Sequence, residues 1–261
     1  MNIDLTYLFG QGYDGAPSMS GKLNGAQALY VHCAAHSLNL AVSKASNLSL
    51  IRNCLGTIES VYNFFLSPVR QNILQEAINV VIPEAKRRKL QRYCPTRWVE
   101  QHLAVQIFHE LQPAIFLALE QLTDWWDAEV GSQACQLLHS LRNSGFIICC
   151  EILIATHSVL IPLSLNLQQE QMSLNEAVRL ASDAVSKFEQ DRKSFKIEFN
   201  NIFKKAEQMM EGNGIPIVLP RAAYLHKDFK ARPNIEEYYA DAVYAPFLDE
   251  LCSNLKTRFD Y

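Results

Sequence analysis

Asp14 stands inside the run Gly10-Gln11-Gly12-Tyr13-Asp14-Gly15-Ala16-Pro17-Ser18-Met19-Ser20-Gly21. A carboxylate at the end of a candidate strand, between glycines that let a substrate backbone come close, suits a metal ligand. The same Asp-Gly pair also serves a tight turn, so local chemistry leaves both readings open. Cys33 and His36 form a Cys-x-x-His pair. Zinc wants four ligands with a second tight pair, and Cys94 has no histidine or cysteine a few residues away. His36 can instead orient a phosphate or a carboxylate, or be a partly buried histidine satisfied within the fold.

A second group is basic. Lys86, Arg87, Arg88, Lys89 and Arg92 place five positive charges in seven residues and lead into Cys94-Pro95-Thr96-Arg97-Trp98. Such a run is either a solvated loop or a phosphate-contacting or nuclear-import patch. The Arg97–Trp98 pair could stack on an unpaired base, a contact worth about 1–3 kcal/mol; alternatively, Trp98 anchors a helix start in the core. The formal net charge of −3 excludes a globally cationic nucleic-acid binder, so any DNA contact must be local.

The elements that must position these groups come from a chain of 261 residues, 49% hydrophobic and 20% charged, which is globular composition rather than disorder. Its seven cysteines are odd in number and irregularly spaced, which argues against a disulfide scaffold and for a reducing compartment. The most apolar stretch, 146–167, is interrupted by Glu151, His157, Pro162 and Asn166, so it predicts a buried core helix rather than a membrane span. Neither a membrane nor a small-molecule substrate is expected.

Residues 5–9 and 28–33 predict two short strands, with a glycine-punctuated turn at Gly10, Gly12 and Gly15. After His36 the pattern is helical. Ile51, Leu55, Ile58, Tyr62 and Phe65 recur at steps of three and four, ended or bent at Ser67-Pro68. Leu103, Ile107, Leu111, Ile115, Leu119 and Leu122 repeat the pattern, with Pro113 expected to kink it. Ser173 and Glu176 form a capping-box signature. It opens one long stripe through Val178, Val185, Phe188, Phe195, Phe199, Ile202 and Met209, stopped by Gly212-Asn213-Gly214. Residues 215–233 predict a loop, and a last helix starts near Asn234 and continues past Pro246. The chain begins almost on its first strand and stops at Tyr261 within a running amphipathic helix, so extension in both directions is expected.

Five segments in this order carry a resemblance. They are the Gly12-to-Gly21 run, Val31-His32-Cys33-Ala34-Ala35-His36-Ser37-Leu38-Asn39-Leu40, Cys94-Pro95-Thr96-Arg97-Trp98, Pro162-Leu163-Ser164-Leu165-Asn166-Leu167-Gln168 and Pro246-Phe247-Leu248-Asp249. Together they resemble the central motifs of hAT superfamily transposases and their host-domesticated relatives, the MYM-type zinc-finger proteins among them. The resemblance spans nearly the whole chain.

It implies an α+β, mainly α fold: an incomplete ribonuclease-H-like core interrupted by a large helical insertion. The implied divisions are 1–66 for the partial core, 67–232 for the insertion with its basic loop at 86–98, and 233–261 for the return toward a C-terminal dimerisation region. By resemblance, Asp14 matches the second of the two family aspartates, which with a glutamate hold magnesium or manganese. Cys33 and His36 match a motif beside that site, and Arg97 and Trp98 the pair that handles a flipped base. Asp4 stands only ten residues before Asp14 and cannot supply the first aspartate, and Glu236, Glu237 and Glu250 do not match the glutamate. Two-metal chemistry needs several carboxylates, so the expectation is a domesticated or decayed transposase fragment, nuclear, binding DNA or protein and lacking catalysis and cofactor. The alternatives are the middle portion of an active transposase, and a helical protein-interaction scaffold.

Overall fold

The computed structural model describes residues 11–13, 30–32, 34–94, 98–168, 173–220 and 234–259. Two three-residue strands, β1 (Gln11–Tyr13) and β2 (Tyr30–His32), pair in parallel with Gly12 opposite Val31 and Tyr13 opposite His32. β2 falls inside the expected 28–33 strand. β1 lies where a glycine turn was expected, because parallel pairing with Tyr-Val-His outweighs the local glycine preference; the 5–9 strand lies outside the described residues. The rest is mainly helical. No ribonuclease-H-like sheet is visible in this strand pair.

Helix α1 (Ala34–Ala45) follows β2 directly, then α2 (Ser49–Phe64) and α3 (Pro68–Val81). The apolar steps along α2 bury Ile51, Leu55 and Ile58, joined by Cys54, Val61 and Phe64. Ser67 and Pro68 do more than end α2. Pro68 occupies the first turn of α3, where its missing N–H costs nothing and its fixed φ fits the helix. A loop, 82–94, leads to α4 (Trp98–Thr123), followed by α5 (Ala128–Leu141) and α6 (Ser144–Asn166). Asp127 and Asn143 cap α5 and α6 by accepting from backbone N–H groups of their first turns.

α6 is the core. It packs against α2, α4, α5, α7 (Leu174–Lys193) and α8 (Phe195–Gly212), and it buries residues around its whole circumference, as a helix apolar on every side must. It is long and apolar enough to cross a membrane by length and composition, but 67% of that apolar window is buried within the protein. Pro162 in α6 and Pro113 in α4 sit inside continuous helices. Both face outward, where water can satisfy the carbonyl that proline leaves unpaired.

The expected single stripe over 178–209 is two helices. Ser194 divides them: its N–H and hydroxyl still close α7 onto Gln190 O at 3.2 Å, but its φ of −109° and ψ of 26° turn the chain out of the helix, and its carbonyl opens the next by accepting from Ile197 and Glu198 N–H at 2.9 and 3.1 Å. Ser173 Oγ accepts from Glu176 N at 3.2 Å and caps α7 as expected. Residues 215–220 are irregular. The last segment runs from α9 (Ile235–Tyr239) through a π turn (Ala240–Tyr244) into α10 (Ala245–Phe259). In that wide turn Ala245 N–H reaches Ala240 O, so the chain loosens just before Pro246, which has no N–H to give. α10 packs on α1 and α7, and Arg192 donates twice to Asp249 at 2.8 and 3.1 Å across that seam. One hydrophobic cluster therefore runs from Leu38 to Phe259.

Candidate nucleic-acid interface

The basic run occupies the loop between α3 and α4, and the chain is tied down at several points. Ile82 N–H closes α3 onto Ile78 O at 2.8 Å, and Ala85 N–H turns back to Ile82 O at 3.0 Å. Ala85 and Tyr93 are buried at the two ends of the loop. Burial pushes the Tyr93 hydroxyl up to about 12, and the charge of Glu59 adds to it. Between these anchors Lys86, Arg87, Arg88, Lys89 and Arg92 are all exposed.

They are not equivalent. Arg88 folds back on α3, donating from Nη1 to Asn79 Oδ1 and from Nη2 to Pro83 O at 2.9 Å. Its own carbonyl accepts from Gln71 Nε2 at 3.4 Å. Arg88 thus closes the loop onto the end of α3, leaving Lys86, Arg87, Lys89 and Arg92 as its outward cations. Arg87 lies toward α4: its charge helps to lower the pKa of His102, after burial, against a raising hydrogen bond to Gln106.

Trp98 is the first residue of α4; its side chain, Arg97, Asp14 and Cys33 lie outside the described residues. His36 is in the first turn of α1, half-buried and engaged with a neighbour. The strand pair sets Tyr13 beside His32, the residues that precede Asp14 and Cys33 in the chain. α1 also packs on α4, so the helix bearing His36 touches the helix that Trp98 opens. Among the described residues no group of three or more His, Cys, Asp or Glu could hold a metal ion. Two unmatched carboxylates have partners of their own: Glu236 accepts from Asn200 Nδ2 at 2.9 Å and Glu250 from Asn254 Nδ2 at 3.0 Å.

Sequence reasoning missed three features. Arg88 is a tether, and only its short spacing to Pro83 hinted at that. A groove joins α2 and α3 to Lys89 and Leu90, marked in sequence only by the polar steps Gln71, Asn72 and Gln75 along α3. His102 and His157 meet edge to face across α4 and α6, 5.8 Å between ring centres, with no local signal at all.

The chain is similar to two curated proteins. It is 23% identical to the human "52 kDa repressor of the inhibitor of the protein kinase" over 98% of this chain and 36% of that protein. It is also 23% identical to the mouse protein of the same name, with the same coverage. The chain therefore spans about a third of the length of these relatives, at 36% of each. No family model matches the chain, and no solved structure matches it. This is a mainly helical protein distantly similar to a repressor, a likeness compatible with a nuclear location.

Proposed function

We propose that this chain is part of a domesticated or decayed hAT-type transposase that acts in the nucleus by binding DNA through residues 82–98, without cutting it. One observation carries the reading: the loop is anchored at Ala85, Arg88 and Tyr93 while four cations point outward. Pre-ordered cations neutralise phosphates without first losing loop entropy. The resemblance adds Arg97 and Trp98 as a base-handling pair at the far end of the same segment, and the relatives' printed name, a repressor, supports a regulatory role. Strand cleavage is not proposed, because Asp14 is a single matched carboxylate and the metal chemistry of such sites needs more. Magnesium or manganese is expected to bind only weakly, with Asp14→Asn leaving calorimetric titrations unchanged. Micromolar binding lost in that variant would instead favour an active transposase.

The deciding experiment is a salt titration of duplex DNA binding by the wild type and by a Lys86→Ala, Arg87→Ala, Lys89→Ala, Arg92→Ala variant. Each phosphate contact contributes about 0.9 to the slope of log K against log salt. The variant should bind more weakly with a shallower slope. Unchanged binding, or no binding by the wild type, favours the helical protein-interaction scaffold.

A further inference from the structure

A groove of about 410 Å³ opens beside the basic loop, within the size range of ligand pockets. Tyr62 and Leu66, from the end of α2 and the turn after it, form one wall; Lys89 and Leu90 of the loop form the other. Its floor comes from α3. Pro68, Gln71, Asn72 and Gln75 are three and four residues apart, hence on one face, while Leu74, Ala77 and Ile78 face the core. Gln71 is committed to the Arg88 carbonyl. Asn72 is exposed and Gln75 half-buried, and no hydrogen bond links either amide to another described residue.

We propose that this groove receives one unstacked base of single-stranded DNA whose phosphates follow the Lys86–Arg92 run. The inference rests on the DNA-binding reading of that loop and adds the strand form and the residues that select it. A carboxamide offers a donor and an acceptor together, the pattern of a base edge. Tyr62 supplies an aromatic wall, which is how unpaired bases are held without regard to sequence. Lys89 lines the same groove and belongs to the cationic run, so base and phosphate are met from one position. A purely apolar ligand would strand the two amides, whereas an acidic peptide could meet them through its backbone but offers Tyr62 no flat ring to stack on.

The test compares three probes of equal length by fluorescence anisotropy with the whole 261-residue chain: a mixed-sequence single strand, an oligomer of abasic spacers, and a duplex. The wild type should bind the base-bearing strand about tenfold more tightly than the abasic one, in keeping with stacking of a single base. Asn72→Ala with Gln75→Ala, and separately Tyr62→Leu, should abolish that preference while leaving abasic and duplex affinities unchanged. The amide pair is exposed to half-buried, so it tests the idea even if Tyr62→Leu misfolds. Equal affinity for base-bearing and abasic strands, or a preference that survives the amide substitutions, overturns the groove assignment alone when duplex binding remains salt-sensitive. Loss of binding to all three probes overturns the DNA reading together with it. Displacement of the single strand by poly-glutamate, without any base preference, assigns the groove to an acidic protein partner instead.

Discussion

His109 Nε2 donates to Glu151 Oε1 at 2.6 Å between α4 and α6, with the carboxylate 5% exposed and the imidazole 30%. The hydrogen bond it donates to Glu151 raises the His109 pKa above its ordinary value; burial opposes this, Cys150 and the Glu151 charge add to it, and Lys205 opposes it. A base that holds its proton more tightly in the fold stabilises fully below its unfolded pKa and loses that contribution as pH rises through its raised folded pKa. His109→Gln, which can still donate to Glu151, should therefore lower Tm most near about pH 6 and least near about pH 9. A deficit independent of pH would show that the pair acts by packing alone.

His157 carries the opposite sign. Burial, with the charge of His102 adding to it, pushes its pKa down to about 3. It folds neutral, so its contribution is complete above the ordinary value of 6.5 and is lost as pH falls from there toward about 3. By about pH 5 the loss should reach about 2 kcal/mol. Thermal melts between about pH 6.5 and 5, above most carboxylate titration, should slope downward in the wild type and flatten in His157→Leu. A parallel slope in both proteins would assign the acid sensitivity elsewhere.

Two glycines are held by close approach rather than by backbone conformation. A Cβ on Gly131 would lie 2.7 Å from the Thr123 carbonyl oxygen, and one on Gly145 would lie 2.8 Å from Tyr239 Oη and 3.0 Å from Asn143 Oδ1. Gly131→Ala should cost about 1–3 kcal/mol, because the obstacle is main chain. Gly145→Ala should cost less and be partly rescued by Tyr239→Phe, which removes the obstructing hydroxyl. Melts of the two single variants and the two double variants with Tyr239→Phe check this; rescue of Gly131→Ala by the same change would contradict it.

What was legible in the sequence was what local periodicity encodes. The apolar steps from Ile51 and from Leu103 marked α2 and α4, and the Ser173 cap marked the start of α7, because helix faces and caps are set within a few residues. The break at Ser194 was hidden: Phe188 and Phe195 keep an unbroken apolar spacing while the backbone turns between them. β1 was hidden as well, since Gly12 reads as a turn until Val31 is known to lie beside it. In the interface, the run of charges was plain but the direction of each side chain was not. Arg88 and Lys89 are adjacent and identical in charge, yet one ties the loop to Asn79 and the other lines a groove. Tyr62 and Lys89 share that groove only after α3 has reversed the chain.

The Arg88 tether gives the last expectation, because its strength can be changed without touching any cation. Asn79 supplies the acceptor on α3 and Pro83 O the acceptor on the loop. Asn79→Ala removes the first and leaves net charge and all five basic residues in place. The pair is exposed, so global stability should move by no more than about 1 kcal/mol. Loop order should change more than that. Trypsin should cut at Lys86 to Arg92 several times faster, and duplex DNA affinity should fall a few-fold because the cations must be ordered on binding. The slope of log K against log salt should stay that of the wild type, since no phosphate contact is lost, whereas Lys86→Ala should reduce it by about 0.9. Asn79→Asp keeps an acceptor for the Arg88 guanidinium and should retain resistance to trypsin. Cleavage and affinity both unchanged in Asn79→Ala would mean that Ala85 and Tyr93 hold the loop by burial alone, with Arg88 free to join the other cations on DNA.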